Sequence, residues 1–236
     1  MAHFSKESLQ FLRALKRNNR KPWFEAHRGD YETHLKEPMA ELVGEMDIRL
    51  SRIAPEIIGE PRRSMFRIHR DVRFSSDKSP YKTHAAAWFF HAGGSSKVGR
   101  EAHGGGAGLY FHLEPGASMV GGGLWMPPRP ALQRIRAAIA DDARGFDRIV
   151  LAPALQKHMG GLSEDSMLKR LPRGFDEDSP GARWLRHQSF TMGRSLTDEQ
   201  VVSGRLTTTL ATEFARLVPL VRFLNAALGL KSAKSR

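Results

Sequence analysis

The chain has 236 residues, of which 40% are hydrophobic and 26% are charged, so it has enough apolar residues to build a sizeable core. It contains no cysteine, which excludes disulfides, thiolate metal sites and cysteine nucleophiles. No apolar run approaches the roughly 20 residues that span a bilayer, and the first residues lack the apolar core of a signal peptide. We therefore expect a cytoplasmic protein without a membrane partner.

The formal net charge of +12 favours negatively charged partners. A field of this sign attracts nucleic acids, phosphorylated metabolites and acidic proteins. A GC-rich bacterial genome also produces arginine-rich proteins, so charge alone does not identify the partner.

The first third of the sequence predicts three helices. Ser5 is suited to cap the first, Pro22 to open the second, and the third begins near Pro38 and is stopped by Pro55. Their residues at helical spacing, which we expect to be buried, are Leu9, Leu12, Leu15, Leu42, Met46, Leu50 and Ile53. The aromatic residues of "NNRKPWFEAHRGDY" (Asn18–Tyr31) are also expected to be core residues.

The middle of the chain changes to the alternation that is typical of strands. The predicted strands are 66–74, 85–90, 108–113, 118–126 and 189–195. A stretch rich in glycine and serine, 91–108, is predicted to be a mobile loop. Three glycines in "VGGGLW" (Val120–Trp125) indicate that either another strand or a ligand approaches this backbone closely.

The last third returns to helical patterns. Residues 131–142 predict a helix, and the segment after Thr197 predicts a closing helix that is kinked at Pro219. Helices, a run of strands and further helices indicate an α+β fold with N-terminal helices, a mostly antiparallel central sheet and C-terminal helices. No linker divides the pattern, so we expect a single domain over residues 1–236.

The segment "FRIHRDVRFSSDKSPYKTH" (Phe66–His84), called the basic segment below, is the most polar part of the chain. A strand here would place Arg67, His69, Asp71, Arg73 and Ser75 on one face. Guanidinium groups match the oxygens of phosphate and carboxylate, and the following turn offers free backbone N–H groups. The segment thus predicts a site for a phosphorylated small molecule or a nucleic acid. The candidate anion-binding residues are Arg67, Arg70, Arg73, Ser75, Lys78 and Lys82.

Two other interpretations of the basic segment stay open. In the first, the protein is an enzyme in which Asp71 or Asp77 is a general base and the arginines stabilise developing negative charge. Tyr81 and His69 are the other candidates for proton transfer. In the second, the segment is a structural network of internal ion pairs, in which Arg70 needs a partner because it lies among apolar residues.

Motifs for metals and cofactors are not found in the sequence. "HRD" at 69–71 lacks the asparagine of a kinase catalytic loop, and the glycine-rich stretches lack the spacing of a phosphate-binding loop or a dinucleotide fingerprint. The histidines at 84, 91, 103 and 112 have no zinc-ligand spacing, and His84 and His91 would point to opposite faces of one strand. We therefore expect no metal and no cofactor.

Three stretches in this order resemble the domain of unknown function 2461 family: "NNRKPWFEAHRGDY", "FRIHRDVRFSSDKSPYKT" and "YFHLEPGASMVGGGLWMPPRPALQRIRAAI". The central motif of that family is matched here by Arg70, Asp71, Arg73, Phe74, Ser75, Asp77, Lys78, Pro80, Tyr81 and Lys82. The resemblance covers roughly residues 4–225. It implies a bacterial, cytoplasmic, single-domain protein, and it carries over no activity and no catalytic residues.

Overall fold

The computed structural model of the chain describes residues 2–73, 76–94 and 106–233. The helices of these residues are Lys6–Arg17 (α1), Lys21–Ala26 (α2), Arg28–Tyr31 (α3), Glu37–Ile53 (α4), Pro61–Ser64 (α5), Arg129–Asp141 (α6), Ala143–Val150 (α7), Pro153–Met159 (α8), Ala182–Leu185 (α9), Asp198–Val201 (α10) and Leu206–Ala227 (α11). A π-helical turn, Glu32–Lys36, joins α3 to α4. The strands are Ile57–Ile58 (β1), Ala85–His91 (β2), Gly108–Leu113 (β3), Ser118–Leu124 (β4) and Phe190–Leu196 (β5).

The strands form one sheet in the order β1-β2-β3-β4-β5, and each neighbouring pair is antiparallel. The sheet follows helices and precedes helices along the chain, which confirms the predicted α+β fold. The four predicted strands at 85–90, 108–113, 118–126 and 189–195 are confirmed as β2 to β5. Most of the predicted mobile loop, at 95–105, lies outside the described residues.

The two faces of the sheet differ in polarity. On β3, Leu109 and Phe111 are fully buried, whereas Tyr110 and His112 point the other way and are only half-buried. The apolar face is covered by helices: the ring of Phe89 lies 5.4 Å from that of Phe214 on α11. The opposite face is the one that remains available for polar side chains.

The glycines of β4 allow β5 to approach closely. Gly123 has φ +123°, and a Cβ at this position would lie 1.9 Å from the carbonyl oxygen of Phe190 on β5. A Cβ on Gly193 of β5 would lie 2.7 Å from the carbonyl oxygen of Val120. The sequence left open whether another strand or a ligand approaches the glycines of "VGGGLW". In the structure, the neighbouring strand β5 approaches them.

The N-terminal helices follow the prediction. Ser5 forms a capping box with Ser8 at the start of α1, and Pro22 lies in the first turn of α2. Phe24 is fully buried, and the rings of Trp23 and Tyr31 pack on Phe11 at 5.9 and 6.1 Å. Phe24 is therefore a core residue, as predicted, and Trp23 and Tyr31 are partly buried against the core.

The helices predicted for the C-terminal part are also confirmed. The predicted helix 131–142 corresponds to α6, and the predicted closing helix corresponds to α11, which contains Pro219 in its interior. No helix in the described part of the chain is both long enough and apolar enough to cross a membrane.

The prediction of a strand over 66–74 is wrong. Within the described residues, only isolated bridges from Met65 to Ala87 and from His69 to Tyr81 are found here. The segment folds back on itself because the side chains of Asp71 and Asp77 accept hydrogen bonds from backbone N–H groups of their own loop. Such local bonds compete with a sheet ladder. Phe74 and Ser75 lie outside the described residues.

Candidate functional site

The basic segment is a hairpin-like loop that is held at both ends. The N–H of Arg70 donates to the carbonyl of Pro80 (2.9 Å), and the N–H of Lys82 donates to the carbonyl of Ile68 (2.8 Å). Asn19, after α1, fastens the second arm, since its side-chain amide donates to the carbonyl of Tyr81 (2.9 Å) and accepts from the N–H of Tyr81 (3.0 Å). The loop between the two arms therefore projects from a fixed base.

Two ion pairs organise the loop itself. The guanidinium of Arg73 donates to both carboxylate oxygens of Asp71, at 3.0 and 2.8 Å. Arg70 Nη1 lies 3.0 Å from Asp77 Oδ2, and Asp77 also accepts a hydrogen bond from the N–H of Ser79 (2.9 Å). Both pairs are partly or largely exposed, where such pairs contribute little to stability.

Lys82 lies at the base of the loop in a strongly positive environment. It is half-buried, and its Nζ lies 5.2 Å from the centre of the Phe66 ring. Burial lowers the pKa of Lys82, and the charges of Arg67 and Arg70 lower it further. Among the described residues, no carboxylate lies within ion-pair distance of Lys82 or Arg67. We call Arg67, Arg70 and Lys82 the cationic cluster.

The guanidinium of Arg70 has a hydrogen-bond donor that is not paired among the described residues. Its Nη2 lies 3.4 Å from the carbonyl oxygen of Tyr81, and its Nη1 contacts Asp77. Its Nε is buried and has no hydrogen-bond partner within the described part of the chain. A buried donor without a partner is costly, so an added acceptor at this position would be stabilising.

The other predicted anion-binding residues are placed differently. The side chain of Lys78 is exposed and donates to the carbonyl of Val72 (2.9 Å), so it is bound to its own loop. Arg73 faces Asp71, which neutralises its charge locally. Ser75 lies outside the described residues. The structure thus brings together Arg67, Arg70 and Lys82, and keeps Arg73 and Lys78 on the loop beyond them.

The carboxylates proposed as general bases both have lowered pKa values. The side-chain and backbone hydrogen bonds from Arg73 lower the pKa of Asp71 strongly. The backbone and side-chain hydrogen bonds from Ser79 lower the pKa of Asp77, with Arg70 adding to the effect. A carboxylate with a lowered pKa is a weak base, because its negative charge is already stabilised.

The two remaining candidates for proton transfer occupy contrasting positions. Tyr81 is only 2% exposed, and its ring stacks on that of Phe24 at 4.1 Å, so it is a core residue. Burial also raises the pKa of Tyr81. His69 is exposed, and its ring lies 5.2 Å from that of Tyr81.

A second polar cluster lies on the half-buried face of the sheet. Because Ala86 pairs with His112 in the β2–β3 register, His84, just before β2, comes opposite the end of β3. The rings of His84 and His112 lie 4.3 Å apart. His112 Nε2 lies 3.1 Å from Glu114 Oε2, and His112 Nδ1 lies 3.0 Å from the hydroxyl of Tyr110. We call His84, His112 and Glu114 the histidine cluster.

The histidine cluster has the composition of a metal-binding site. One ligand atom from each of its three residues lies within 4.8 Å of the others. The sequence analysis missed it because its residues are distant along the chain and only the strand register joins them. His91 does not take part, since its Nε2 contacts the carbonyl oxygen of Lys231 at 3.0 Å. His103 lies outside the described residues.

The histidine cluster and the cationic cluster influence each other electrostatically. Burial lowers the pKa of His84 to about 4, and the neighbouring His112, Lys82 and Arg70 contribute to this shift. Burial and the charge of Glu114 raise the pKa of Tyr110 to about 12. At neutral pH, His84 is therefore an uncharged imidazole and Tyr110 is a protonated phenol.

A cavity of about 370 Å³ is lined by residues of α7, α8 and α11, including Arg148, Pro219 and Phe223, and by no residue of either cluster. A much smaller crevice is lined by Phe66, Ile68 and His84. The cationic cluster is therefore an open surface at the edge of a small crevice, and neither cavity is lined by Asp71 or Asp77.

The chain belongs to the DUF2461 family of conserved hypothetical proteins, whose family model matches residues 7–223. This match confirms the resemblance that was noted from the three sequence stretches. The comparisons with curated proteins and with solved structures found no match for the chain. The family assignment carries no activity or ligand with it, so function has to be argued from the two clusters.

Proposed function

We propose that the protein binds a phosphate-bearing or other anionic ligand through the cationic cluster of Arg67, Arg70 and Lys82. The observation that carries this proposal is the environment of Lys82. This lysine is half-buried beside two arginines, and no carboxylate within the described residues pairs with it. The three positive charges repel one another, and among the described residues only Arg70 has a carboxylate, Asp77, within ion-pair distance. A bound anion relieves the repulsion that remains.

The chemistry of the three side chains suits an anion with several oxygens, such as a phosphate group. Guanidinium groups offer planar, paired donors, and the ammonium of Lys82 adds a point charge. Lys78, on the exposed loop, adds a positive charge for a ligand that is larger than a single phosphate.

The net charge of +12 is consistent with either a phosphorylated small molecule or a nucleic acid as the ligand. The two classes differ in how their binding responds to salt. A nucleic acid that contacts several phosphates releases counter-ions, so its affinity falls steeply as salt rises. A small phosphorylated ligand held by three cations loses less affinity over the same range.

A structural role for part of the basic segment is the second candidate, and it is favoured by the two ion pairs of the loop. Arg70 joins Asp77 to the carbonyl of Tyr81, so it also fastens the loop to its base. Arg73 and Asp71 form a pair within the loop. This role accounts for the aspartates, and the charge of Arg67 also acts on Asp71, but it leaves Lys82 without a carboxylate partner among the described residues.

The enzyme alternative, with Asp71 or Asp77 as general base, receives less support from the structure. Both carboxylates have lowered pKa values and are exposed rather than enclosed in a cavity. Enclosed sites, in which charges interact more strongly, are the usual setting for such catalysis.

A thermal-shift screen tests the proposed function. The purified full chain is melted with inorganic phosphate, pyrophosphate, nucleotides, sugar phosphates and short DNA and RNA, at low and at moderate salt. We expect stabilisation by at least one phosphate-bearing ligand, and we expect the variants Lys82→Met and Arg67→Gln to lose it.

The control is Arg134→Gln, which removes one exposed positive charge on α6 and leaves the cationic cluster intact. It should respond to the ligand as the wild type does. An equal ligand-induced shift in all three variants would contradict the site. If the wild type shows no shift with any ligand and Arg70→Ala melts early, the structural role is favoured.

A further inference from the structure

We propose that His84, His112 and Glu114 form a binding site for a divalent transition-metal ion of the zinc type. The three residues come from the start of β2 and the end of β3, which the sheet register holds together. Two imidazole nitrogens and one carboxylate oxygen form a ligand set that zinc accepts in proteins, with a fourth position left for water or another ligand. The inference does not depend on the cationic cluster.

The distances are close to those that a bound ion needs. A tetrahedral ion with bonds of roughly 2.0–2.1 Å requires its ligand atoms to be about 3.4 Å apart. His112 Nε2 and Glu114 Oε2 are already 3.1 Å apart. All three ligand atoms lie within 4.8 Å of one another, so side-chain movements of about 1.4 Å complete the set.

Tyr110 gives this cluster the support that metal-binding histidines generally have. A histidine that binds metal through one ring nitrogen usually hydrogen-bonds through the other, which fixes the orientation of the ring. His112 Nδ1 lies 3.0 Å from the hydroxyl of Tyr110, and Nε2 is the nitrogen that faces Glu114. Nε2 is thus the nitrogen left to bind an ion together with the carboxylate.

Burial also suits a metal ion. The side chains of His112 and Glu114 are 15% and 25% exposed, so an ion can enter but is largely surrounded by protein.

The position of the cluster suggests what the ion would do. Lys82 and Arg70 both contribute to the electrostatic environment of His84, so the cationic cluster is its neighbour. An ion with three protein ligands has an open coordination position. An oxygen of an anion held by the cationic cluster is suited to fill that position.

The test is a calorimetric titration of Zn²⁺ onto the full chain, first treated with a chelator and kept in a buffer free of phosphate. We expect one ion to bind for each chain. Glu114→Gln and His84→Asn should weaken binding by at least about tenfold, because each removes one of three protein ligands. Mg²⁺, which prefers oxygen ligands, should not bind at this site.

His69→Ala is the matched control, since it removes an exposed histidine of the basic segment and leaves the three ligands unchanged. It should bind Zn²⁺ as the wild type does. Unchanged Zn²⁺ affinity in Glu114→Gln and His84→Asn, or an equal loss in His69→Ala, would overturn the site. The absorption spectrum of bound Co²⁺ provides a second measurement on the unmodified protein: intense visible bands of tetrahedral coordination support the site, and their absence contradicts it.

Discussion

The side-chain amide of Asn19 pairs with the backbone of Tyr81 as a neighbouring strand would, through one donated bond of 2.9 Å and one accepted bond of 3.0 Å. This pairing joins the end of α1 to the second arm of the basic segment. It connects the stretch "NNRKPWFEAHRGDY" to the basic segment, and these are two of the three stretches that resemble the family. It also fixes Lys82, the residue next to Tyr81, in position beside Arg67 and Arg70.

Asn19→Ala should lower the stability of the protein. The substitution leaves the N–H and the carbonyl of Tyr81 without their side-chain partners in a partly buried place, and each lost partner costs about 1 kcal/mol or more. Urea unfolding should show a loss of about 1–3 kcal/mol.

Asn18→Ala is the control for Asn19→Ala. The Asn18 side chain donates only to the carbonyl of Ala14 in its own helix, so its loss should cost less. Equal losses for the two variants would argue against the role of Asn19 as a link between segments.

Gly123→Ala should be strongly destabilising, by more than about 3 kcal/mol, because it combines an unfavourable φ with a steric clash. The added Cβ would lie 1.9 Å from the carbonyl oxygen of Phe190, which the β4–β5 ladder holds in place. Thermal and urea unfolding measure the effect.

Gly116→Ala separates these two causes. Gly116 also has a positive φ, +76°, but nothing lies within 4 Å of an added Cβ. It should cost only the conformational term of about 1–2 kcal/mol. If both variants lose the same stability, the close approach of β5 is not the reason for the glycine at 123.

The stability of the protein should fall in acid through Glu45. Burial acts to raise the pKa of this carboxyl, but hydrogen bonds from His3 and Arg49 outweigh it and lower the pKa from 4.5 to about 2. A lowered pKa in the folded state stabilises the protein above the unfolded value, and this contribution is lost as pH falls from about 4.5 to about 2.

Urea unfolding at neutral pH and within this acid range measures the contribution of Glu45. Glu45→Gln should reduce the difference in stability between the two conditions. Glu41→Gln, at an exposed position on the same helix, should leave it nearly unchanged. A pH dependence that is identical in Glu45→Gln and wild type would contradict the assignment.

The two clusters should bind their ligands cooperatively. A divalent ion at the histidine cluster adds positive charge next to Lys82 and Arg70, and a bound anion neutralises this charge. The anion also offers an oxygen to the open coordination position of the ion. We expect saturating phosphate to raise the affinity for Zn²⁺ by at least about fivefold, with the same factor for the effect of Zn²⁺ on phosphate. Paired titrations that show independent binding would mean that the two sites do not share a ligand.

The sequence predicts those parts of the fold that local patterns determine. β2 to β5 and the long helices are predicted correctly because their alternation or helical spacing is complete within each segment. The first predicted strand, 66–74, failed because Asp71 and Asp77 bond to backbone N–H groups nearby, which a hydrophobicity pattern does not register.

The candidate site was predicted only in part for a similar reason. Arg67, Arg70 and Lys82 are among the six residues that the sequence predicts to bind an anion, but the sequence does not separate them from Arg73, Ser75 and Lys78. His84 lies close to His112 and Glu114 because of the register between β2 and β3. This register cannot be deduced from the spacing of the residues along the chain. The pairing of Arg70 with Asp77 likewise depends on how the loop turns.

The most direct test of the account is a calorimetric titration of pyrophosphate onto the wild type and onto two double variants of equal net charge. Arg67→Gln with Lys82→Met removes two members of the cationic cluster. Arg134→Gln with Lys157→Met removes two exposed charges from α6 and α8. We predict that the first variant loses at least about tenfold in affinity, because each charge-assisted hydrogen bond contributes more than 1 kcal/mol, while the second stays within about twofold of the wild type. Equal affinities for the two variants would contradict a specific anion site and leave only the general attraction of a positively charged protein.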